Sequence, residues 1–230
     1  MTEQVPKSMV DIGNGRLLLE EQLTRLGHSG LATKAYIVTG YMAEKIEDWS
    51  ENRWDGILPI VTCYNPFFTV SDNLLSLWLA RDQMNCDFLV TNGDNLFDTS
   101  VFSKLASIDG QGIFLTICRK DSYEPEDMKV TLENGTIKRV SKQIPVQDAS
   151  AVSVGLALIA GNESQYRFRE ALTTLARSNE AVRQYWLEVI NALVSCGVSV
   201  GTVEIDYEEW NEVDYPHDLR DVRSRIRGQL

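Results

Sequence analysis

Residues 34–94, KAYIVTGYMAEKIEDWSENRWDGILPIVTCYNPFFTVSDNLLSLWLARDQMNCDFLVTNGD, decide the fold. KAYIVTG (34–40) is a short apolar run that closes on glycine, and YMAEKIEDWSENRW (41–54) follows with apolar residues at helical spacing. ILPIVTC (57–63) is a second apolar run, SDNLLSLWLARDQM (71–84) a second helical segment, and DFLVTNGD (87–94) a third run leading into a turn. Short apolar runs alternating with helix-period segments across short connections predict βαβ units and a largely parallel sheet. Ser71 or Asp72 is placed to cap the 71–84 helix, since either side chain can accept a free first-turn N–H.

Upstream, apolar residues recur at helical spacing from Leu17 to about Leu26, with Gly27 or Gly30 as the stop. Downstream of Ser107 the pattern changes. GIFLTICRK (112–120) reads as a strand, MKVTLENGTIKRVSK (128–142) as two alternating runs about Asn134-Gly135, and AVSVGLALIA (151–160) as a further strand. Asn-Gly between alternating runs predicts a hairpin. Helices are predicted over 163–177 and 181–195, a last strand over 198–205, and a closing helix over 216–226 with Pro216 in its first turn. With no repeat and no linker, the chain reads as one α/β domain over 1–230, Rossmann-like and mostly parallel, with an inserted β-hairpin.

With 230 residues the chain can bury a proper core. Its net charge of −11 argues against a nucleic-acid surface, which needs a basic stripe. An anionic ligand is still accessible where placed cations and a bound divalent metal reverse the local field. No apolar run approaches the ~20 residues of a membrane-spanning helix, and the first residues lack a signal-peptide core, so no membrane is expected and a cytoplasmic location follows by default. Cys63, Cys86, Cys118 and Cys196 form no CxxC pair and read as buried free thiols.

Asp94 stands where a parallel sheet presents ligands, at the carboxyl end of FLVTN with Gly93 before it. A carboxylate there suits Mg²⁺ or, alternatively, caps a turn. A second acidic cluster, Glu208, Glu209, Glu212 and Asp214, surrounds Trp210. It reads as a solvated loop feeding a helix N-terminus or as a source of a second metal carboxylate. Lys7 after Pro6, and Lys129 and Lys142 on the hairpin, are either solvated lysines or the placed cations. Gly13-Asn14-Gly15 lacks the remaining glycine of a dinucleotide loop and reads as a hairpin turn.

Together these stretches resemble the nucleotidyltransferase family that makes nucleotide-activated sugars and alcohols, closest to its phosphocholine and sugar-phosphate cytidylyltransferase branch. Thr2, Pro6 and Lys7 match the tail of the family's signature, and the likeness continues through SMVDIGNGRLLLEEQL, YIVTGY (36–41), YNPFFTVSDNLLSLWLA (64–80) and FLVTNGDNLFD (88–98). It runs on through the hairpin, SVGLALI (153–159) and EEWNEVDYPHDL, so almost the whole chain is covered in order. The resemblance implies an Mg²⁺-dependent nucleotidyltransferase, with CTP favoured and a phosphorylated small molecule as acceptor. By the same resemblance Lys7 contacts nucleotide or acceptor phosphates, Asn73 and Ser76 help hold the base, Asp94 and Asp214 hold Mg²⁺, and Lys142 meets the acceptor phosphate. Lys129, Trp210 and Glu212 are further acceptor-side candidates, and Trp210, Tyr123 and Tyr215 a candidate aromatic wall for a quaternary ammonium.

Family members begin with a strand and a glycine-rich loop that precede the segment matched by Thr2 to Lys7, and the expectation is that Met1 is internal to a longer natural chain. The alternative is a non-catalytic regulatory or scaffolding relative that has lost that loop. A metal-dependent glycosyltransferase is disfavoured by GDN at 93–95, which is not DxD. Base, acceptor and oligomeric state stay open, a homo-oligomer included.

Overall fold

The computed structural model describes residues 5–13, 15–213 and 216–228. In chain order it contains β1 (Asp11–Gly13), β2 (Arg16–Leu17), α1 (Leu18–His28), β3 (Ala35–Thr39), α2 (Ala43–Asn52), β4 (Ile60–Tyr64), α3 (Asn73–Leu79), β5 (Phe88–Thr91) and β6 (Asn95–Phe97). Then follow α4 (Thr99–Ala106), β7 (Gly112–Cys118), β8 (Lys129–Glu133), β9 (Thr136–Ser141), β10 (Ala151–Ala160), α5 (Asn162–Ala176), α6 (Glu188–Ser195), β11 (Val200–Ile205), β12 (Trp210–Glu212) and α7 (Pro216–Gly228). The chain divides into two compact units, both discontinuous: 1–64, 92–106 and 208–230 form the first, and 65–91 and 107–207 the second.

In the first unit β3 and β4 run parallel in register from Ala35↔Ile60 to Thr39↔Tyr64, and among the described residues they pair with each other alone. The apolar stripe of α1 explains its place: Leu19 and Leu23, one turn apart, pack with Ile46 and Trp49 of α2 and with Leu58. A second cluster joins Val10, Ile12 and Leu18 to Leu96, Val213 and Val222, so all three segments of the unit share one core. β6 and β12 pair antiparallel, Trp210↔Phe97 to Glu212↔Asn95, and tie the third segment to the second.

The second unit is built on a sheet of order β11-β7-β10-β8-β9, with β5 also on β10. β11 and β7 are parallel; β10 is antiparallel to β5, β7 and β8. All ten residues of β10 are buried, as the central strand of a sheet covered on both faces requires. Gly155, at φ +68°, lies where the β10–β7 register shifts, a backbone angle that side chains disfavour and a bulge uses. At the hairpin tip Asn134 and Gly135 both take positive φ, 51° and 81°, the two-residue turn whose twist matches its strands. Among the described residues no helix is long and apolar enough to cross a membrane.

Three expectations are corrected. The helix expected over 181–195 is broken: a 3₁₀ turn spans Ala181–Arg183, Gln184 is extended, and α6 starts only at Glu188. The cause lies at the start of α3, where the Asp72 amide donates to the Val182 carbonyl and the Leu74 amide to the Gln184 carbonyl. The Trp186 amide in turn donates to Asn73 Oδ1 at 2.8 Å. Those bonds supply what the expected cap was to give, and Asp72, though at the N-cap, makes no side-chain cap bond. Of the four free thiols only Cys118 is buried; Cys86 and Cys196, in loops flanking helical turns, are exposed.

Candidate functional site

Pro6 sets up a 3₁₀ turn over Lys7–Met9, its carbonyl accepting the Met9 amide at 2.9 Å. The turn carries the Lys7 ammonium to within 3.4 Å of Asp94 Oδ2. The two side chains are 36% and 24% exposed, and a partly solvated pair of that length contributes about 0–1 kcal/mol to stability. Its consequence is placement: a cation and a carboxylate held together on the turn that carries Asp94.

The turn bearing Asp94 is fixed from several sides. Gln22, buried on α1, donates its side-chain amide to the carbonyls of Asn92 and Asn95, each at 2.9 Å. Asn95 is buried and accepts from Trp210 Nε1 at 3.0 Å. The Val213 amide donates to the Asp94 carbonyl at 2.9 Å. Asp214 and Tyr215 themselves, like Thr2, lie outside the described residues. Trp210 is a half-buried member of β12 whose indole is bound to Asn95; Glu212 closes the same strand and is exposed. Of the acidic cluster, Glu209 is engaged structurally by Ser100 Oγ at 2.6 Å and Lys104 Nζ at 2.5 Å.

A divalent cation implied by the family resemblance finds a hard oxygen donor in Asp94. Among the described residues no group of three or more His, Cys, Asp or Glu side chains gathers as a metal site. One or two carboxylates fit Mg²⁺, which completes its shell with water and substrate phosphate.

In the second unit Asn73 Oδ1 accepts the Trp186 amide, and Ser76 Oγ accepts from Asn65 Nδ2 at 3.0 Å. Both expected base-binding residues thus lie on α3, next to the 182–186 segment. Tyr123 is half-buried in the loop before β8. The two hairpin lysines part company. Lys142 is 41% exposed, 3.4 Å from Glu126 and 5.6 Å from the Tyr185 ring centroid. It lines a groove of about 830 Å³ between β9 and the segment 183–195.

Lys129 is neither outward-facing nor available. It is 1% exposed, and its ammonium donates to the carbonyls of Glu124, Pro125 and Asp127 at 3.1, 2.7 and 3.1 Å. An ammonium has three donors, and all three are spent on tying the 124–127 turn to β8. That corrects the expectation of an acceptor contact.

No protein-family model matches the chain. The bifunctional IPC transferase and DIPP synthase of Rubrobacter xylanophilus is 25% identical over 224 residues, covering 97% of this chain and 48% of that protein. The chain therefore spans about half the length of that relative. The inositol-1-phosphate CTP transferase from T. maritima has the same fold, with a TM-score of 0.77 at 19% identity, over 98% of this chain and 89% of that one. The CTP:phosphocholine cytidylyltransferase from Streptococcus pneumoniae follows at 0.73 and 19%, over 98% and 91%. The chain shares the fold of these two transferases and is similar in sequence to the Rubrobacter protein along nearly its whole length.

Around Asp94 the sequence alone misses Gln22 and Asn95. The signal for Gln22 was present: it occupies an apolar position, four residues after Leu18 and three after Leu19, where a polar side chain needs a buried partner. Gln22→Leu, similar in size, leaves two carbonyls of the Asp94 turn without their donor. The expected cost is about 2–4 kcal/mol by urea unfolding, from two unmade bonds in a buried setting. A cost below 1 kcal/mol would show that the turn is held without it.

Proposed function

We propose that the chain transfers a cytidylyl group from CTP to a small phosphorylated acceptor, an inositol phosphate, phosphocholine or sugar phosphate, releasing pyrophosphate, and does so with Mg²⁺. The observation that carries this is the Lys7 ammonium beside Asp94, on a turn whose Asp94 carbonyl accepts the Val213 amide. The names of the similar proteins, which include a CTP transferase for inositol 1-phosphate and a CTP:phosphocholine cytidylyltransferase, support the choice of base and acceptor class.

An acceptor phosphate oxygen attacks the α-phosphorus of CTP and forms a new P–O bond. The α–β bridging bond breaks, and its electron pair leaves with pyrophosphate. Because the acceptor phosphate is already ionised, no general base is required, and catalysis rests on in-line positioning and charge neutralisation. Lys7 supplies a cation for nucleotide or acceptor phosphates. Asp94, with Asp214, would hold Mg²⁺, whose charge offsets that of the phosphates it binds. On the second unit Asn73 and Ser76 serve the base, and Lys142 the acceptor phosphate. Trp210 and Glu212 complete the acceptor side. This reading takes residues 1–230 as a single nucleotidyltransferase domain.

The test is pyrophosphate release from each of the four nucleoside triphosphates against inositol 1-phosphate, phosphocholine and glucose 1-phosphate, with and without Mg²⁺. CTP is expected to be turned over fastest, with one acceptor preferred and chelation abolishing release. Nucleotide binding without release under any pairing would favour the non-catalytic alternative.

A further inference from the structure

The groove on the second unit carries more positive charge than one phosphate requires. Its walls include Lys138, Arg139 and Lys142 from β9 and the turn after it, and Arg183 from the opposite segment. The sole carboxylate of the lining, Glu188, is held by Asn191 Nδ2 at 2.9 Å. Four cations against one carboxylate leave the lining at +3 in a chain whose net charge is −11.

Neither lysine is firmly neutralised. Lys138 meets Glu133 at 3.3 Å and Lys142 meets Glu126 at 3.4 Å, and both glutamates are mostly exposed and stand outside the lining. Such solvated pairs exchange readily for a better anion. Among the described residues Arg139 and Arg183 form no ion pair. A guanidinium on each wall offers a fork that matches a phosphate in two parallel bonds. A second, independent feature points the same way. Gln184 Oε1, in the lining, is shielded from solvent and accepts no hydrogen bond, so it calls for a donor from whatever fills the groove.

We propose that this groove binds a small polyol or sugar carrying two phosphate-class groups, one per wall, with a ligand hydroxyl donating to Gln184 Oε1. Two phosphate monoesters bring about −3 to −4 at neutral pH and balance the +3 of the lining, whereas one brings at most about −2. The inference shares Lys142 with the proposed transfer reaction and otherwise stands apart from it. Two sources fit the chemistry: the acceptor itself, bearing a second phosphate, or an effector.

Calorimetric binding of glucose 1-phosphate and glucose 1,6-bisphosphate to the 230-residue chain, at two salt concentrations, tests it. The bisphosphate is expected to bind about tenfold or more tightly than the monophosphate, with the steeper loss of affinity in salt. Arg139→Gln with Arg183→Gln should remove that preference, while Arg167→Gln, an exposed α5 ion-pair residue, should leave it intact. Equal affinity for the two sugars, or a preference that survives the double substitution, would overturn the proposal. Cytidylyl transfer to the bisphosphate identifies an acceptor, and binding without consumption an effector. Bisphosphate binding with no cytidylyl transfer to any acceptor would leave the groove standing and sink the transfer reading; transfer without bisphosphate preference would do the reverse.

Discussion

Asp94→Asn is expected to lower kcat/KM for pyrophosphate release by about 10²–10⁴-fold, the range for removing several kcal/mol of phosphate charge stabilisation. The substitution keeps the shape of the side chain and the backbone carbonyl that accepts the Val213 amide, so the turn stays tied to the third segment. It removes one negative charge beside Lys7. Because that pair is partly solvated, its loss should move the melting temperature by only a few degrees. The expected signature is therefore lost turnover with retained fold, and a higher Mg²⁺ concentration for half-maximal rate. Unchanged turnover would remove Asp94 from the chemistry and with it the main support for the transferase reading.

Lys129→Met has the opposite signature. Methionine fills most of the volume of the lysine stem, so little cavity is left, but three carbonyls lose the ammonium that holds the 124–127 turn. Breaking a buried charged network in this way costs about 3–5 kcal/mol, or roughly 6–20 °C for a chain of this size. Lys142→Met, at an exposed site, should cost under about 1 kcal/mol and act on acceptor binding instead. Equal thermal stability of the two variants would mean that Lys129 can be spared, and its role as an internal clamp would be wrong.

Much of the architecture was legible because periodicity reports burial. The 151–160 run, apolar throughout, is buried throughout, and Asn134-Gly135 makes the turn its chemistry requires. What stayed hidden depends on long-range partners. β6 and β12 are three residues each, too short to show a period, and exist because they pair with one another across more than a hundred residues. The 181–195 segment has helical spacing, yet its first half gives its carbonyls to the start of α3, a competition no local pattern records. Lys129 follows the same logic: an alternating strand puts it on one face, and only the fold decides that a turn folds over that face. Around the candidate site, the Lys7–Asp94 pair and the bond from the Trp210 indole to Asn95 Oδ1 join residues 87 and 115 positions apart, which no local pattern records, whereas Gln22 left a trace as a polar side chain at an apolar position of α1.

The discontinuity of the first unit bears on the order in which the protein takes shape during synthesis. Every residue of the second unit has left the ribosome once Tyr207 has, but the first unit still lacks its third segment. Until Trp210 and Val213 emerge, β6 has no antiparallel partner, Asn95 no indole, and the Asp94 carbonyl no amide. The sheet of the second unit can thus be assembled first, while the carboxylate turn is locked only once Trp210 and Val213 arrive to bind it.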